Sequence, residues 1–220
     1  LGRVRCDFLY LVGDIIDGWK VSRLRHLSDP HRDILRRLGA LARESEVTFI
    51  TGNHDEFLDR FLGLRKARML FRDRAFHRTA DGRCFLVSHG DEFDRVIRGF
   101  RFLNTLAGRA YELTLQLNAV LPLAGRHRRS IAGLLKRKFK NLACALSGFE
   151  GRVVAEAKGA GLDGVICGHL HNPSIRKVRD VLLCNCGDWV EHCSALVEHP
   201  DGRLEVLSLD DTGGLNPGRP

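Results

Sequence analysis

Apolar positions along this chain come in short runs, and several of these runs stop abruptly at a glycine beside a carboxylate, an amide or an imidazole. Phe8-Leu9-Tyr10-Leu11-Val12 ends at Gly13-Asp14, and Val47-Thr48-Phe49-Ile50 ends at Gly52-Asn53-His54-Asp55. Residues 84–87 lead into His89-Gly90-Asp91, and Val165-Ile166-Cys167 leads into Gly168-His169-Leu170-His171. Short β-branched or aromatic runs closed by glycine predict buried strands. The glycine permits a tight exit turn and leaves the polar residue at the carboxyl end of its strand.

Other stretches change period. Ser28-Asp29-Pro30 is a helix start with proline in the first turn, followed by Ile34, Leu35, Leu38 and Leu41 at helical spacing. Asp81-Gly82 predicts a hairpin turn, and Pro200-Asp201-Gly202 predicts a second hairpin between residues 194–197 and 204–207. Strands alternating with helical patterns predict an α/β sandwich with the ligand-bearing loops along one edge. From Phe93 to Phe149 the pattern is wholly helical: Phe93, Val96, Ile97, Phe100 and Leu103 share a face, and residues 113–123 are apolar almost all round. The expected organisation is one domain over residues 1–211, with a helical cap inserted at about 94–149. Residues 212–220, with three Gly and two Pro, are expected to be a disordered tail.

Composition sharpens this picture in two places. No uninterrupted apolar stretch reaches the length of a membrane-crossing helix. The seven cysteines form no secreted disulfide framework, and Cys6, Cys84, Cys167 and Cys184 read as small core thiols in a reducing compartment. The net charge of +8 is local. Between Arg95 and Lys140 there are eleven Lys or Arg and one acid, Glu112, so this segment carries +10 and the remainder −2.

Asp14, Asn53, His89, His169 and His171 together mix carboxylate, amide oxygen and imidazole. Such a set suits Mn, Fe or Zn and excludes a thiolate site. Strand-end ligands of this kind build a metal site along the carboxyl edge of a sheet, and a two-metal phosphoesterase is the reading.

The order Gly13-Asp14-x-x-Asp17, Gly52-Asn53-His54-Asp55, His89-Gly90-Asp91, Gly168-His169-x-His171 resembles the calcineurin-like metallophosphoesterase superfamily. The flanks Tyr10 to Trp19, His89 to Asp94 and Asn185-Cys186-Gly187-Asp188-Trp189-Val190-Glu191 are similar to its UDP-2,3-diacylglucosamine pyrophosphatase-like branch. The resemblance implies a two-sheet sandwich flanked by helices and two divalent ions, with manganese expected and Fe or Zn as alternatives. It implies Asp14 as the bridging carboxylate. Asn53, His89 and His169 complete one metal site, and His171 serves the other. Asp17 and Asp91 either orient a ligand histidine or close a turn. His54 is the expected catalytic group, as proton donor to the leaving oxygen or as a cation facing the developing charge. Dedicated lipid A pyrophosphatases carry Arg where this chain has His54. The superfamily's leading Asp-x-His motif is absent from residues 1–7, so the natural chain is expected to extend further towards the amino terminus.

The basic cluster includes Arg128, Arg129, Lys136 and Lys138. It reads as a solvated helix face or as a grip on phosphate headgroups at an anionic membrane surface. Nucleic acid is disfavoured, because aromatics are only 7% of the chain and no RNA-binding platform is present. The leading expectation is a cytoplasmic enzyme, peripheral on the inner face of the cell membrane. It would hydrolyse a phosphoanhydride or phosphodiester of an amphiphilic nucleotide-sugar lipid, such as UDP-2,3-diacylglucosamine to UMP and 2,3-diacylglucosamine 1-phosphate in lipid A biosynthesis. A soluble phosphodiesterase acting on nucleotides or phospholipid headgroups is the second reading. A non-catalytic lipid- or partner-binding module is the third. Oligomeric state stays open.

Overall fold

The structure, a computed structural model, describes residues 6–18, 27–94, 148–209 and 215–217. The chain divides into two compact units, Leu1–Gly90 with Val154–Pro220 and Asp91–Val153.

In the larger unit the apolar runs become strands as expected. Strands β1 (Phe8–Val12) and β2 (Glu46–Ile50) pair in parallel, and β4 (Met69–Arg72) adds to β2 with the two-residue β3 (Arg65–Lys66) outside it. A five-stranded sheet has the order β5-β6-β7-β9-β8, from Arg74–Arg78, Cys84–Ser88, Gly164–Cys167, Val181–Asn185 and Ser174–Val178. A third sheet joins β10 (Ser194–Glu198), β11 (Leu204–Leu209) and β12 (Leu215–Pro217). The fold class is mixed α/β, in keeping with a metallophosphoesterase sandwich.

The period of two sorts β1 and β2 onto two cores. Leu9, Leu11, Val47 and Phe49 face one way, packing with Leu35, Leu38 and Ala42 of the helical segment and with Leu58. Tyr10, Val12 and Ile50 face the other way, against Phe85, Val87, Ile166 and Cys184 of the five-stranded sheet. The first sheet is therefore covered on both faces, as parallel strands require. Helix α1 (Asp29–Leu41) starts where Ser28 and Pro30 placed it, although Ser28 makes no side-chain cap bond. Of its expected apolar stripe, Leu38 is buried, but Ile34 is 47% exposed. The stripe that packs is narrower than the spacing suggested.

Two hairpin turns follow the turn residues. Gly82, at φ 90°, closes β5–β6, and Gly202, at φ 83°, closes β10–β11. The tail expected to be disordered contains β12, whose backbone pairs Leu215 with Leu209 and Pro217 with Leu207. Its Gly and Pro content concealed a strand that needs only backbone groups at the edge of β11. Cys6 precedes β1 instead of lying in a strand, and it and Cys84 are only half-buried. Cys167 and Cys184 are buried.

In the smaller unit, a short 3₁₀ helix (Asp91–Phe93) and the start of α2 (Phe149–Gly159) are described. Phe93 and Phe149 meet edge to face with centroids 6.0 Å apart, and the Arg152 guanidinium donates to the Phe93 carbonyl. Most of the expected cap, with Arg128, Arg129, Lys136 and Lys138, lies outside the described residues. Among the described residues no helix is long and apolar enough to cross a membrane.

Candidate metal centre

Four loops leave the carboxyl ends of β1, β2, β6 and β7 and deliver the five expected ligands, the last loop carrying both His169 and His171. Register fixes their proximity. β1 and β2 run in parallel, so Val12 lies opposite Ile50, and β6 and β7 do the same with Val87 opposite Ile166. The Gly13 amide donates to the Ile50 carbonyl at 2.9 Å, and the Gly168 amide to the His89 carbonyl at 3.1 Å. These bonds knit each pair of exit loops together.

Glycine is needed here for space. A Cβ on Gly13 would lie 2.2 Å from His89 Nδ1, and one on Gly52 would lie 2.5 Å from Asp14 Oδ1. The ligand residues themselves carry backbone strain. Asp14, His169 and His171 have φ of 55°, 56° and 49°, the left-handed region in which non-glycine residues are uncommon and cluster at functional sites.

The centre is built around His89, whose side chain is 2% exposed. Its Nδ1 donates to the Val12 carbonyl at 3.1 Å. A carbonyl only accepts, so this bond places a proton on Nδ1 and turns Nε2 inward. Nε2 lies 3.1 Å from Asn53 Oδ1, 3.2 Å from Asp14 Oδ2 and 3.3 Å from His169 Nδ1. Oxygen and nitrogen atoms of four residues thus converge on one point, an arrangement that a positive charge, on the ring or on a bound cation, satisfies. A backbone carbonyl fixing the far nitrogen is the usual way a protein prepares a histidine for a metal.

The donor chemistry fits a divalent ion. Donors held about 2.0–2.2 Å from a shared tetrahedral ion stand about 3.3–3.6 Å apart, slightly wider than the contacts here. The cluster is therefore contracted, and among the described residues no group of three or more His, Cys, Asp or Glu side chains is spaced to hold a metal ion as it stands. His171 is half-buried on the same loop as His169 and is placed at this edge by that loop.

The electrostatics agree. Burial pushes the Asp14 carboxyl up, but the His89 ring and the His54 backbone N–H outweigh it and hold Asp14 below its ordinary value. The His54 amide donates to Asp14 Oδ1 at 2.9 Å. The His54 ring is held between two carboxylates, with Nδ1 3.1 Å from Asp17 Oδ1 and Nε2 3.9 Å from Asp14 Oδ2. Asp17 therefore orients His54, where the sequence had suggested a ligand histidine or a turn. Asp91 opens the Asp91–Phe93 3₁₀ helix in the smaller unit, where its carbonyl accepts from the Asp94 amide at 3.0 Å.

Asp55 was not singled out from the sequence. Fully buried, it accepts from the Gly52 amide at 2.5 Å and the Ile15 amide at 2.9 Å, clamping the Asp14 and Asn53 loops to each other. Burial is the main reason its carboxyl is raised above the usual range, with the two amides offsetting part of the effect. Its signal was present in the Gly-Asn-His-Asp string, as the one acid there with no assigned task.

The family model for calcineurin-like phosphoesterases matches residues 2–173, and the chain belongs to that family. Its members use divalent metal ions. No curated protein matches. Among solved structures, a double mutant of Vps29 from Entamoeba histolytica is 14% identical, with 98% of this chain and 84% of that one covered and a TM-score of 0.44. An archaeal phosphodiesterase is 12% identical, with coverage of 92% and 99% and a TM-score of 0.36. Wild-type Vps29 from Entamoeba histolytica complexed with zinc is 14% identical, with 96% of each chain covered and a TM-score of 0.38.

Proposed function

We propose that this chain is a metal-dependent hydrolase of a phosphoanhydride or phosphodiester. The substrate class that the motif flanks favour is an amphiphilic nucleotide sugar of the UDP-2,3-diacylglucosamine type. The observation that carries the hydrolase reading is the convergence of Asp14 Oδ2, Asn53 Oδ1 and His169 Nδ1 on the inward Nε2 of His89. Asp14, Asn53, His89 and His169 would hold one divalent ion, with manganese expected, and His171 with Asp14 would serve a second. Such ions, when bound, supply Lewis acidity and an activated water at neutral pH.

The chain's own residues do the rest. The Val12 carbonyl keeps the His89 ring turned, and Asp55 holds two ligand loops in register. His54, steadied at Nδ1 by Asp17, donates a proton from Nε2 to the departing phosphate oxygen. Water adds to one phosphorus of the anhydride, the P–O bond breaks, and the products are UMP and 2,3-diacylglucosamine 1-phosphate. The basic residues 95–140 and the apolar residues 113–123 support an amphiphilic substrate met at the inner face of a membrane.

The presence of His54 where lipid A pyrophosphatases carry Arg favours a second reading, a phosphodiesterase of soluble nucleotides. The two separate in one assay, with purified chain and manganese offered either UDP-2,3-diacylglucosamine or a small chromogenic diester. Release of UMP from the lipid at a higher kcat/KM than hydrolysis of the diester supports the first reading. Turnover of small diesters alone replaces it with the second. Metal bound without turnover of either would make this a binding module.

A further inference from the structure

The loop after β9 is an exposed apolar feature at the metal edge, held in shape by its own hydrogen bonds. β7 and β9 are parallel neighbours with Cys167 opposite Asn185, so residues 186–192 leave the sheet beside the His169 loop. Asn185 joins the two loops: its Nδ2 donates to the Gly168 carbonyl, and its Oδ1 accepts from the Gly187 amide at 2.9 Å. Adjacent strands are about 4.8 Å apart, so this loop starts within one strand spacing of a metal-ligand loop.

Asp188 freezes the loop's shape. It is buried, and its Oδ1 accepts from the backbone amides of Val190, Glu191 and His192 while its Oδ2 pairs with His192 Nδ1 at 2.6 Å. Gly187, at φ 77°, has no room for a side chain, since a Cβ would meet Ser194 Oγ and Pro173. On this fixed turn Trp189 is 58% exposed and Val190 86% exposed. Large apolar groups left in water on a rigid scaffold beside a reaction centre have the character of a ligand contact.

We infer that Trp189, backed by Val190, is the platform on which the substrate's nucleobase stacks while its phosphates lie at the metal centre. This rests on the proposed hydrolase of a nucleotide-containing substrate and adds the residue that reads its base. Chemistry selects the base over other occupants. The loop carries one exposed acid, Glu191, and its His192 is paired with the buried Asp188, so it disfavours phosphates and an anionic lipid surface but tolerates a neutral ring. The apolar face amounts to one indole and one isopropyl group, matching a planar base and far smaller than a pair of acyl chains.

The test is binding of UMP and of ribose 5-phosphate, with manganese present, to the full chain and to Trp189→Ala and Trp189→Phe. Base–aromatic stacking predicts that Trp189→Ala weakens UMP roughly 5- to 160-fold. Trp189→Phe should restore most of that affinity, and ribose 5-phosphate, which lacks the base, should bind all three alike. Equal weakening of both ligands, or no change in either, overturns the inference. So does loss of binding to anionic phosphatidylglycerol vesicles with UMP affinity intact, which would make the loop a membrane anchor. Hydrolysis of bis(p-nitrophenyl) phosphate by the unaltered chain is measured alongside. Its absence together with absent release of UMP from UDP-2,3-diacylglucosamine would sink the hydrolase reading while the UMP comparison still decides the base contact.

Discussion

Strand β6 has one end in a closed turn and the other in an open centre, and the two ends handle charge in opposite ways. At its start, Asp81 accepts from Thr79 Oγ1 at 2.5 Å and from Arg83 Nε at 2.8 Å, and Arg83 also donates to the Gly202 carbonyl at 2.8 Å. The Arg83 guanidinium, then the Thr79 hydroxyl, hold the Asp81 carboxyl down at about 2. Both carboxylate oxygens of Asp81 thus meet donors within two residues. At the far end, His89 Nε2 faces Asp14 Oδ2, Asn53 Oδ1 and His169 Nδ1. A turn that only holds the fold pairs its carboxylate locally. The metal edge gathers a carboxylate, an amide oxygen and two imidazoles from four separate loops, a set suited to a bound cation.

The strongest way to break this comparison is to remove the atom on which the donors converge. His89→Ala should abolish tight binding of manganese or zinc, a loss greater than the roughly 10- to 100-fold seen when only an outer partner of a ligand is removed. Elemental analysis after dialysis measures it, with circular dichroism to confirm folding. Unchanged metal content would show that the acceptors are satisfied some other way. Asp81→Ala should leave metal content alone.

Next in size is His54→Ala. A general acid contributes roughly 10²–10⁴ in rate, so kcat should fall by that range while metal content stays intact. Asp17→Asn, which acts only by steadying the His54 ring, should cost less and leave KM largely unmoved. Loss of metal in the His54 variant would move it from proton donor to ligand.

The two ends of β6 also differ in what their glycines do. Gly82 has a positive φ but open space around it, whereas Gly13 has both a positive φ and His89 in the way. Gly82→Ala should therefore cost only the left-handed penalty, about 1–2 kcal/mol. Gly13→Ala should add an overpacking cost of about 1–3 kcal/mol and weaken metal binding as His89 is displaced. Thermal melts of the two variants separate the contributions, and equal destabilisation would mean the loop relaxes freely.

These contrasts follow the line between what the sequence made legible and what it did not. Asp14, Asn53, His89 and His169 were readable because each closes an apolar run at a glycine, and strand register then brings them together. Strands β3 to β5 were not, because Arg65 to Arg78 holds six Lys or Arg in fourteen residues and shows no apolar alternation. Their stability comes from pairing against β2 and β6. His77 was similarly opaque, having no motif around it. In the fold it joins all three sheets, 3.3 Å from Tyr10 Oη and 2.5 Å from Glu198 Oε2. Such a cluster depends on residues 121 positions apart, and no local pattern announces it.

The smallest expected effect sharpens the comparison, because Asp188 lies at the same edge as Asp14 yet behaves like Asp81. Burial pushes its carboxyl up, but His192 and the amides of Glu191, Val190 and His192 outweigh this and bring it from 3.8 down to about 2. A carboxyl depressed on folding adds stability that is fully present above its unfolded value. That contribution fades as pH falls from about 4 through about 2. Asp188→Asn should therefore lower the urea midpoint at pH 7, and the gap from the unaltered chain should narrow between pH 4 and 2. A gap that stays constant over that window would mean the carboxylate's charge contributes nothing and Asp188 serves only by shape. Asp81→Asn should narrow over the same window but by less, since its turn is open to solvent and exposed pairs are screened.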